Sequence, residues 1–497
     1  MSNVLNSGSQ LPVFRIAGFT GHRDIVSGEH LAAAVAAAFD QLSGITQDEW
    51  IALSSVAEGS DQLFVREALT RGLAWHAILP LPRTEFAKDF EPAAWRTVES
   101  LLQRAEQVQI SNDSGAREDA YLDSGLETVN GSDLLIAIWD GEAARGKGGT
   151  AEVVEYARAL GRPILIIDAV SGERRVENWG NLHVPGTALN SLNHLPEATT
   201  GWGENPFKAP DNVFAFQQKC DFEATRSAPG VRRMTISTVM LHVLATFIAA
   251  AAVSWSLHSA PLAWAKFVCL GAGIVAALVL RRRMHSERSW VKCRLAAEFC
   301  RSALATWGLP RAANLLHQRD VPDAHQLSRS LRILHGRTAT ETPVSIEEFQ
   351  RIYAEKRIRD QRAYYHRQEQ RALPLLRLLR RIFWISTITA MVCVALYAIT
   401  MSMHLLVPIW LQGSVFDFLP IALPVMAAAM ISIVSINDLH RRVARYRDMQ
   451  ATLAASEAQI GYCNTWSSLE RVVLRTENAL LQEVIEWHSM VSFSESH

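Results

Sequence analysis

Residues Val13 to Asp24 read VFRIAGFTGHRD. Val13 to Ala17 is a short, mostly apolar run, and Gly18 to Asp24 is glycine-rich and polar. An apolar run bounded by glycine fits a strand, and a glycine-rich turn after a strand presents backbone N–H groups to an anion. Further apolar runs follow at Trp50–Ser54, Trp75–Leu79, Val108–Ile110, Leu134–Trp139 and Ile164–Ile167. Between them lie amphipathic stretches at Leu31–Leu42, Asp61–Arg71, Ala93–Ala105 and Ala151–Leu160. This alternation predicts an α/β doubly wound parallel sheet, Rossmann-like, as an N-terminal domain over residues 1–205.

Ligands of such sheets bind beyond the C-terminal strand ends. Four loops fall there: Gly18–Asp24, Ala57–Asp61 (AEGSD), Pro80–Arg83 (PLPR) and Trp139–Glu152 (WDGEAARGKGGTAE). The last opens a helix at Gly149 or Thr150, where free N–H groups and the helix dipole favour a phosphate. Gly148 and Gly149 allow close backbone approach, and Arg145 and Lys147 add positive charge. A turn that needs glycine explains any one of these loops, and Asp61 and Thr150 also suit helix capping. Four on one rim predict a nucleotide-sized pocket. His22 invites a catalytic role, but no matched nucleophile or metal set accompanies it. No catalytic or metal-binding residue is therefore assigned, and His22 is read as structural or base-facing.

The second half alternates apolar runs with arginine-dense stretches. Candidate membrane spans lie at about 234–256, 262–280, 382–403 and 419–436. Each is close to the ~20 residues that cross a hydrocarbon core. Arg232 and Arg233, Arg281 to Arg283, Arg380 and Arg381, and Arg441 and Arg442 flank the pairs, while the turns inside each pair lack Lys and Arg. The positive-inside tendency then puts both turns outside and both termini in the cytosol. Runs such as Ala249–Ala252 and Ala427–Ala429 permit close helix packing. Mid-span charge is scarce, which disfavours a transporter.

The segments after the second and fourth spans look alike. Arg282, Arg283 and Arg288 match Arg441, Arg442 and Arg447; Ala296 and Glu298 match Ala455 and Glu457; Thr306-Trp307 match Thr465-Trp466. A duplicated hairpin followed by a basic helix is expected. Before the third span, Tyr353, Arg357, Gln361 and Tyr365 share one helical stripe, suited to packing against a helix or a membrane surface. Residues of about 443–490, with Leu469, Val472, Leu480, Leu481, Val484 and Trp487, predict one long partner-binding or self-associating helix. The domains expected are 206–310 (first hairpin), 311–345 (irregular linker) and 346–497 (second hairpin).

The tyrosine stripe, hairpin and following helix of 346–497 resemble SLATT domains, predicted two-span effectors of bacterial nucleotide-signalled conflict systems. Residues 206–310 resemble a degenerate copy without the stripe. Residues 12–170 resemble the SLOG branch of Rossmann-like proteins. GFTGHRD is similar to its first phosphate-side loop, and SDLLIAIWDG followed by GKGGTAEVVEYAR is similar to its glycine-threonine helix start. That resemblance implies phosphate or ribose contacts from Gly18, Thr20, Gly21, Arg23, Gly148, Gly149 and Thr150. It implies acceptors for ribose or base at Glu58, Asp61 and Asp140, with His22 and Gly59 in the same loops. Enzymatic members carry PGGxGTxxE. The string KGGTAEVVE lacks the proline and one glycine step, so neither Glu152 nor Glu155 is in register.

Composition narrows the classes. The chain has 497 residues and a net charge of −1, room for roughly two to four domains and no global signal for nucleic acid. Cys220, Cys269, Cys293, Cys300, Cys393 and Cys463 show no CxxC spacing, as expected of isolated thiols in a reducing compartment. The first dozen residues lack the apolar core of a signal peptide. With the resemblances, the expectation is a homo-oligomeric effector of the bacterial inner membrane. It binds a nucleotide second messenger, a cyclic dinucleotide or an ADP-ribose derivative, needs no cofactor, and permeabilises the bilayer in antiphage defence. A membrane-anchored nucleotide N-glycoside hydrolase is the alternative.

Overall fold

The computed structural model describes residues 8–25, 28–46, 48–111, 116–143, 148–182, 188–197, 205–227, 230–257, 259–315, 324–338 and 344–493. The chain divides into two compact units, one of residues 1–195, 210–216 and 310–343, the other of 196–209, 217–309 and 344–497.

The first unit alternates strands and helices as expected. The elements are β1 (Phe14–Gly21), α1 (Gly28–Ile45), β2 (Glu49–Ser54), α2 (Ser60–Thr70), β3 (Ala74–Leu79), α3 (Arg83–Phe86), α4 (Pro92–Leu102) and β4 (Gln107–Ile110). Then come α5 (Arg117–Gly131), β5 (Leu134–Trp139), α6 (Thr150–Ala159), β6 (Ile164–Asp168), β7 (Arg174–Glu177) and α7 (Ala188–Asn193). The seven strands form one sheet in the order β4-β3-β2-β1-β5-β6-β7. All pairs are parallel except β6–β7. The chain runs outward from β1 to β4 and returns to place β5 on the other side of β1, so the topological switch lies between β1 and β5.

Strand periodicity assigns the two faces. Leu134, Ile136 and Ile138 of β5 join Leu31, Phe39 and Phe64 of α1 and α2 in one cluster. Leu135, Ala137 and Trp139 join Val153, Val154 and Ala157 of α6 in another. Successive side chains of a strand point to opposite faces, and each face buries its own helices. Phe64 stacks on both Phe19 and Phe39, with ring centroids 4.4 and 5.1 Å away.

Residues 311–345 depart from the expected irregular linker. They contain α11 (His325–Thr338), whose Leu327, Leu331 and Leu334 are buried. Arg329 donates to the Asp133 carboxylate, which also accepts from the Ile16 N–H, and the Ser330 hydroxyl donates to the Pro12 carbonyl. Arg337 bridges Glu49 and Glu106. These contacts gather at the N-terminal ends of the strands, opposite the rim predicted to bind ligand.

Helix α8 (Asp211–Arg226) begins in residues of the first unit and ends in the second, where α9 (Val231–Ser254) and α10 (Ala260–Ala305) follow. The rest comprises α12 (Ile346–Tyr353), α13 (Asp360–Ser402), α14 (Ile409–Leu411), α15 (Leu419–Ile436), α16 (Leu439–Ile460) and α17 (Trp466–Phe493). A π-helical turn over Ala354–Arg359 joins α12 to α13, so Ile346–Ser402 is one helix of 57 residues. Among the described residues, four helices are long and apolar enough to cross a membrane, and only 6% to 22% of their apolar windows is buried inside the protein. Trp264, Phe267, Trp384, Ile385 and Met391 are among the apolar side chains left exposed. Apolar surface on this scale is unfavourable in water at ~25 cal/mol per Å2 and is matched by lipid.

The C-terminal region is not one long helix. It breaks at 461–465, where the Thr465 hydroxyl accepts from the Ser468 N–H and starts α17. Leu453, Ile460, Leu469, Val473 and Leu480 then share one core cluster. The proposed repeat also diverges here: Thr306 ends α10, whereas Thr465 precedes α17.

The tyrosine stripe packs inward, against helices. Tyr353 and Arg357 are buried, and both donate to Glu477 of α17, at 2.7 Å from the phenol and 2.9 and 2.5 Å from the guanidinium. Arg357 also donates to the Ser302 hydroxyl of α10 at 3.1 Å. Removing one member of a buried ion pair strands the other charge, at a cost of about 3–5 kcal/mol. Glu477→Ala is therefore expected to destabilise the protein by about that amount. The pair Arg357→Met with Glu477→Leu should recover most of the loss, measured by denaturant unfolding in detergent. Equal losses in the single and the double variant would refute this account.

Candidate functional site

The ends of β1, β2 and β5 come together at the switch point, and the residues after them are tied by backbone contacts. The His22 N–H donates to the Ile138 carbonyl at 3.3 Å, continuing the β1–β5 pairing by one residue. The His22 carbonyl accepts from the Ser60 N–H at 3.2 Å and the Ser60 hydroxyl at 2.6 Å. The AEGSD loop is thereby fastened to GFTGHRD.

Two of the predicted glycines make this junction, which differs from the ligand contact expected of them. Gly59 has φ +81, and a Cβ there would lie 1.9 Å from the Arg23 carbonyl oxygen. A Cβ on Gly21 would lie 2.3 Å from the Ser60 hydroxyl. Both are needed so that one loop can press on the other. Gly18 is also reassigned. It is paired with Leu53 and Leu135 inside the strand, and a Cβ there would meet Ser132 at 2.8 Å. Its role is close packing beneath the rim. Thr20 lies on the same face, nearer the rim and half-buried.

His22 and Asp140 join the β1 and β5 loops. His22 Nε2 lies 3.2 Å from the Asp140 backbone N–H, which donates to it, and 3.1 Å from the Asp140 carboxylate. The first contact requires an unprotonated Nε2 and the second a protonated one, so the ring proton selects between them. Asp140 Oδ1 also accepts from the Glu142 N–H at 3.0 Å.

Arg23 and Glu58 are exposed at the rim. The Arg23 guanidinium lies over the Tyr121 ring, 4.8 Å from its centroid. The Tyr121 hydroxyl donates to Asp89 at 2.6 Å, and Arg117 donates to the same carboxylate at 2.7 Å. Burial raises the Asp89 pKa, but the hydrogen bonds from Arg117 and Tyr121 outweigh it and hold the carboxyl below its usual range. Burial and the bond to Asp89 push the Tyr121 phenol up, so it stays protonated. This supporting layer behind Arg23 carries no sequence motif. Pro80–Arg83 leads into it through α3, whose Glu85 carbonyl accepts from Arg117.

Asp61 faces inward, contrary to its expected role as a ribose or base acceptor. It is buried and accepts from the Ser54 and Ser55 hydroxyls at 2.8 and 3.0 Å. Desolvation raises its pKa to about 6, against the lowering effect of both serines and of Arg23. The adjacent Val56 has φ 57, a left-handed conformation that β-branched residues rarely adopt. The chain holds this end of β2 in a strained, polar, buried turn.

The start of α6 also differs from expectation. Gly149 is its N-cap and Thr150 its first residue, and Gly148 has φ +77 with a would-be Cβ 2.8 Å from the Leu122 N–H nitrogen. The Gly148 N–H, expected to be free for a phosphate, donates to Glu152 Oε2 at 2.7 Å. A glutamate at the third helical position reaches back over the helix start, as in a capping box. The chain's own carboxylate thus holds the anion position. Arg145 and Lys147 lie outside the described residues.

Among the described residues, two cavities lie away from the rim. One of about 500 Å3 is bounded by β2–β4, α5 and α11, and one of about 300 Å3 lies within the second unit. Among the described residues no cluster of His, Cys, Asp and Glu is placed to hold a metal. Comparison with protein-family models finds no match, and comparison with curated proteins finds none either.

The Asp61 shift has a definite sign. The folded pKa lies above the ordinary 3.8, so the folded state binds the proton more tightly. The contribution of Asp61 to stability is fully present below pH ~4 and is lost as pH rises through about 6. The ionised carboxylate then costs about 3 kcal/mol. Asp61→Asn should leave stability unchanged near pH 4 and raise it progressively toward pH 7. Parallel unfolding profiles for variant and wild type over that range would refute the assignment.

Proposed function

We propose that the chain is a nucleotide-gated membrane effector: the first unit senses a nucleotide second messenger and the second permeabilises a bilayer. The observation that supports this most is the convergence of three strand-end loops, with Thr20, Arg23, His22 and Asp140, at the switch point of a doubly wound sheet. Such crevices are where these sheets bind nucleotides. The same chain carries four helices of membrane-spanning length and hydropathy. The resemblance of the two halves to SLOG and SLATT domains supports the same reading. So does the arginine pattern, which orients both termini toward the cytosol of a bacterial inner membrane.

The ligand is a cyclic dinucleotide or an ADP-ribose derivative, and it acts on a homo-oligomer by favouring the permeable assembly. A differential affinity of about 5.5 kcal/mol converts a rare assembly into the dominant one. In this reading the ligand is bound and released intact. Engagement of Glu152 by the Gly148 N–H makes it a helix cap, which favours binding over N-glycoside hydrolysis.

The test is dye release from calcein-loaded liposomes carrying the full-length protein, with a panel of cyclic dinucleotides and ADP-ribose derivatives. One member of the panel should bind and trigger release; binding without release at any protein density would exclude the effector role. Arg23→Ala should weaken that binding by about tenfold, the worth of one charge-assisted hydrogen bond. Glu152→Ala separates the alternatives. It should tighten phosphate binding if Glu152 only caps the helix, and abolish turnover if the protein is a hydrolase. Calorimetry and chromatography of the recovered nucleotide give the two readouts.

A further inference from the structure

The second unit contains a cavity of about 300 Å3 where α10, α13, α16 and α17 meet. Arginine side chains outnumber carboxylates along its described lining, which also holds Trp290, Tyr364, Tyr365 and Tyr446. We propose that this cavity is a second ligand site, distinct from the strand-end crevice, and that it takes a phosphate group carried by a small molecule or by a lipid headgroup.

The distribution of charge within the cavity carries the argument. On the α10 wall, Arg294 and Arg301 are neutralised by Asp221 and Glu298 at 2.6–3.3 Å. Arg357 is committed to Glu477. Arg442, on the α16 wall, differs. Its Nε and Nη2 donate to the Tyr446 hydroxyl at 3.2 and 3.0 Å, and no carboxylate among the described residues lies within ion-pair distance of it. A phenol leaves the guanidinium charge uncompensated and most of its donors unused. On the α13 wall, the Gln361 amide lines the same cavity and has no hydrogen-bond partner among the described residues. Asp438 and Glu486 also line the space; Asp438 stands 3.9 Å from both Arg441 and Arg445.

A guanidinium fork with spare N–H groups matches the oxygens of a phosphate, and Gln361 supplies neutral donors across the cavity. The volume suits a small ligand. The cavity adjoins Asp438, at the joint where α15 ends and α16 begins, and its walls come from both hairpins. A bound phosphate would fix α16 relative to α13 and α10. The proposal does not depend on nucleotide binding by the first unit.

The experiment uses the full chain in nanodiscs. In the first arm, pyrophosphate is titrated calorimetrically into protein held in phosphatidylcholine. In the second, native mass spectrometry counts lipid retained from discs containing one-fifth phosphatidylglycerol. Saturable pyrophosphate binding identifies a soluble ligand, and selective retention of phosphatidylglycerol identifies a headgroup. Either signal should fall about tenfold in Arg442→Gln. Either should persist in Arg441→Gln, whose side chain is 75% exposed and outside the cavity. Should Arg442→Gln elute as a misfolded species, Gln361→Leu tests the opposite wall and should lower the same signal. Absence of both signals in the wild type, or equal signals in wild type and cavity variants, overturns the proposal.

Discussion

Strand β1 is hydrogen-bonded along both edges, but the two edges are staggered. Its register with β2 runs from Phe14 to Gly18, and its register with β5 from Ala17 to Gly21. Over its last turns of pleat β1 keeps only one strand neighbour, and the peptide groups on the other edge need a partner. Ser60, at the start of α2, supplies it through its N–H and hydroxyl on the His22 carbonyl. The position of α2, the contact of Gly59 with Arg23 and the inward turn of Asp61 all follow from closing that edge. The crevice at the switch point is what remains once it is closed.

A comparable constraint organises the helical unit. Arg357 and Glu477 are buried together, and they are held by Tyr353 and Ser302 from two further directions. A buried ion pair adds little net stability over an apolar core of the same shape, but it penalises wrong registers severely. Here it specifies how α17 lies against α10 and the long helix from Ile346. The hydrophobic cluster around Leu453, Leu469 and Leu480 supplies bulk burial without that selectivity.

Sequence patterning located β1 to β6 and the apolar helices because both depend on local periodicity, and missed β7, whose exposed, charged residues form no apolar run. The apolar runs at Trp50–Ser54 and Leu134–Trp139 coincide with β2 and β5 within a residue. Glycine was less informative. Gly18, Gly21 and Gly59 read as ligand-facing, yet each answers a steric demand from Ser132, Ser60 or Arg23, residues that are distant in sequence or meet it only in the fold. Asp61 turned away from a ligand for a related reason: its partners, the Ser54 and Ser55 hydroxyls, are brought to it only by the folded turn. Other features had legible signals. Leu327, Leu331 and Leu334 follow a helical spacing inside a charged segment, and Gly461 followed by Thr465 marks a helix stop and restart. The support of Arg23 by Tyr121, Asp89 and Arg117 had none, because it joins two separate crossovers.

The contact between Glu152 and the Gly148 N–H has a consequence for any anion arriving at the start of α6. The carboxylate is tethered three residues into the helix, so it competes at an effective concentration far above that of a dissolved metabolite. A singly charged visitor gains little by exchanging with it. A group with more charge or more oxygens, backed by contacts elsewhere on the rim, gains enough to displace it. An internal competitor of this kind sets a threshold for occupying the start of α6: a weak anion does not displace it, and only a group that brings several contacts at once could.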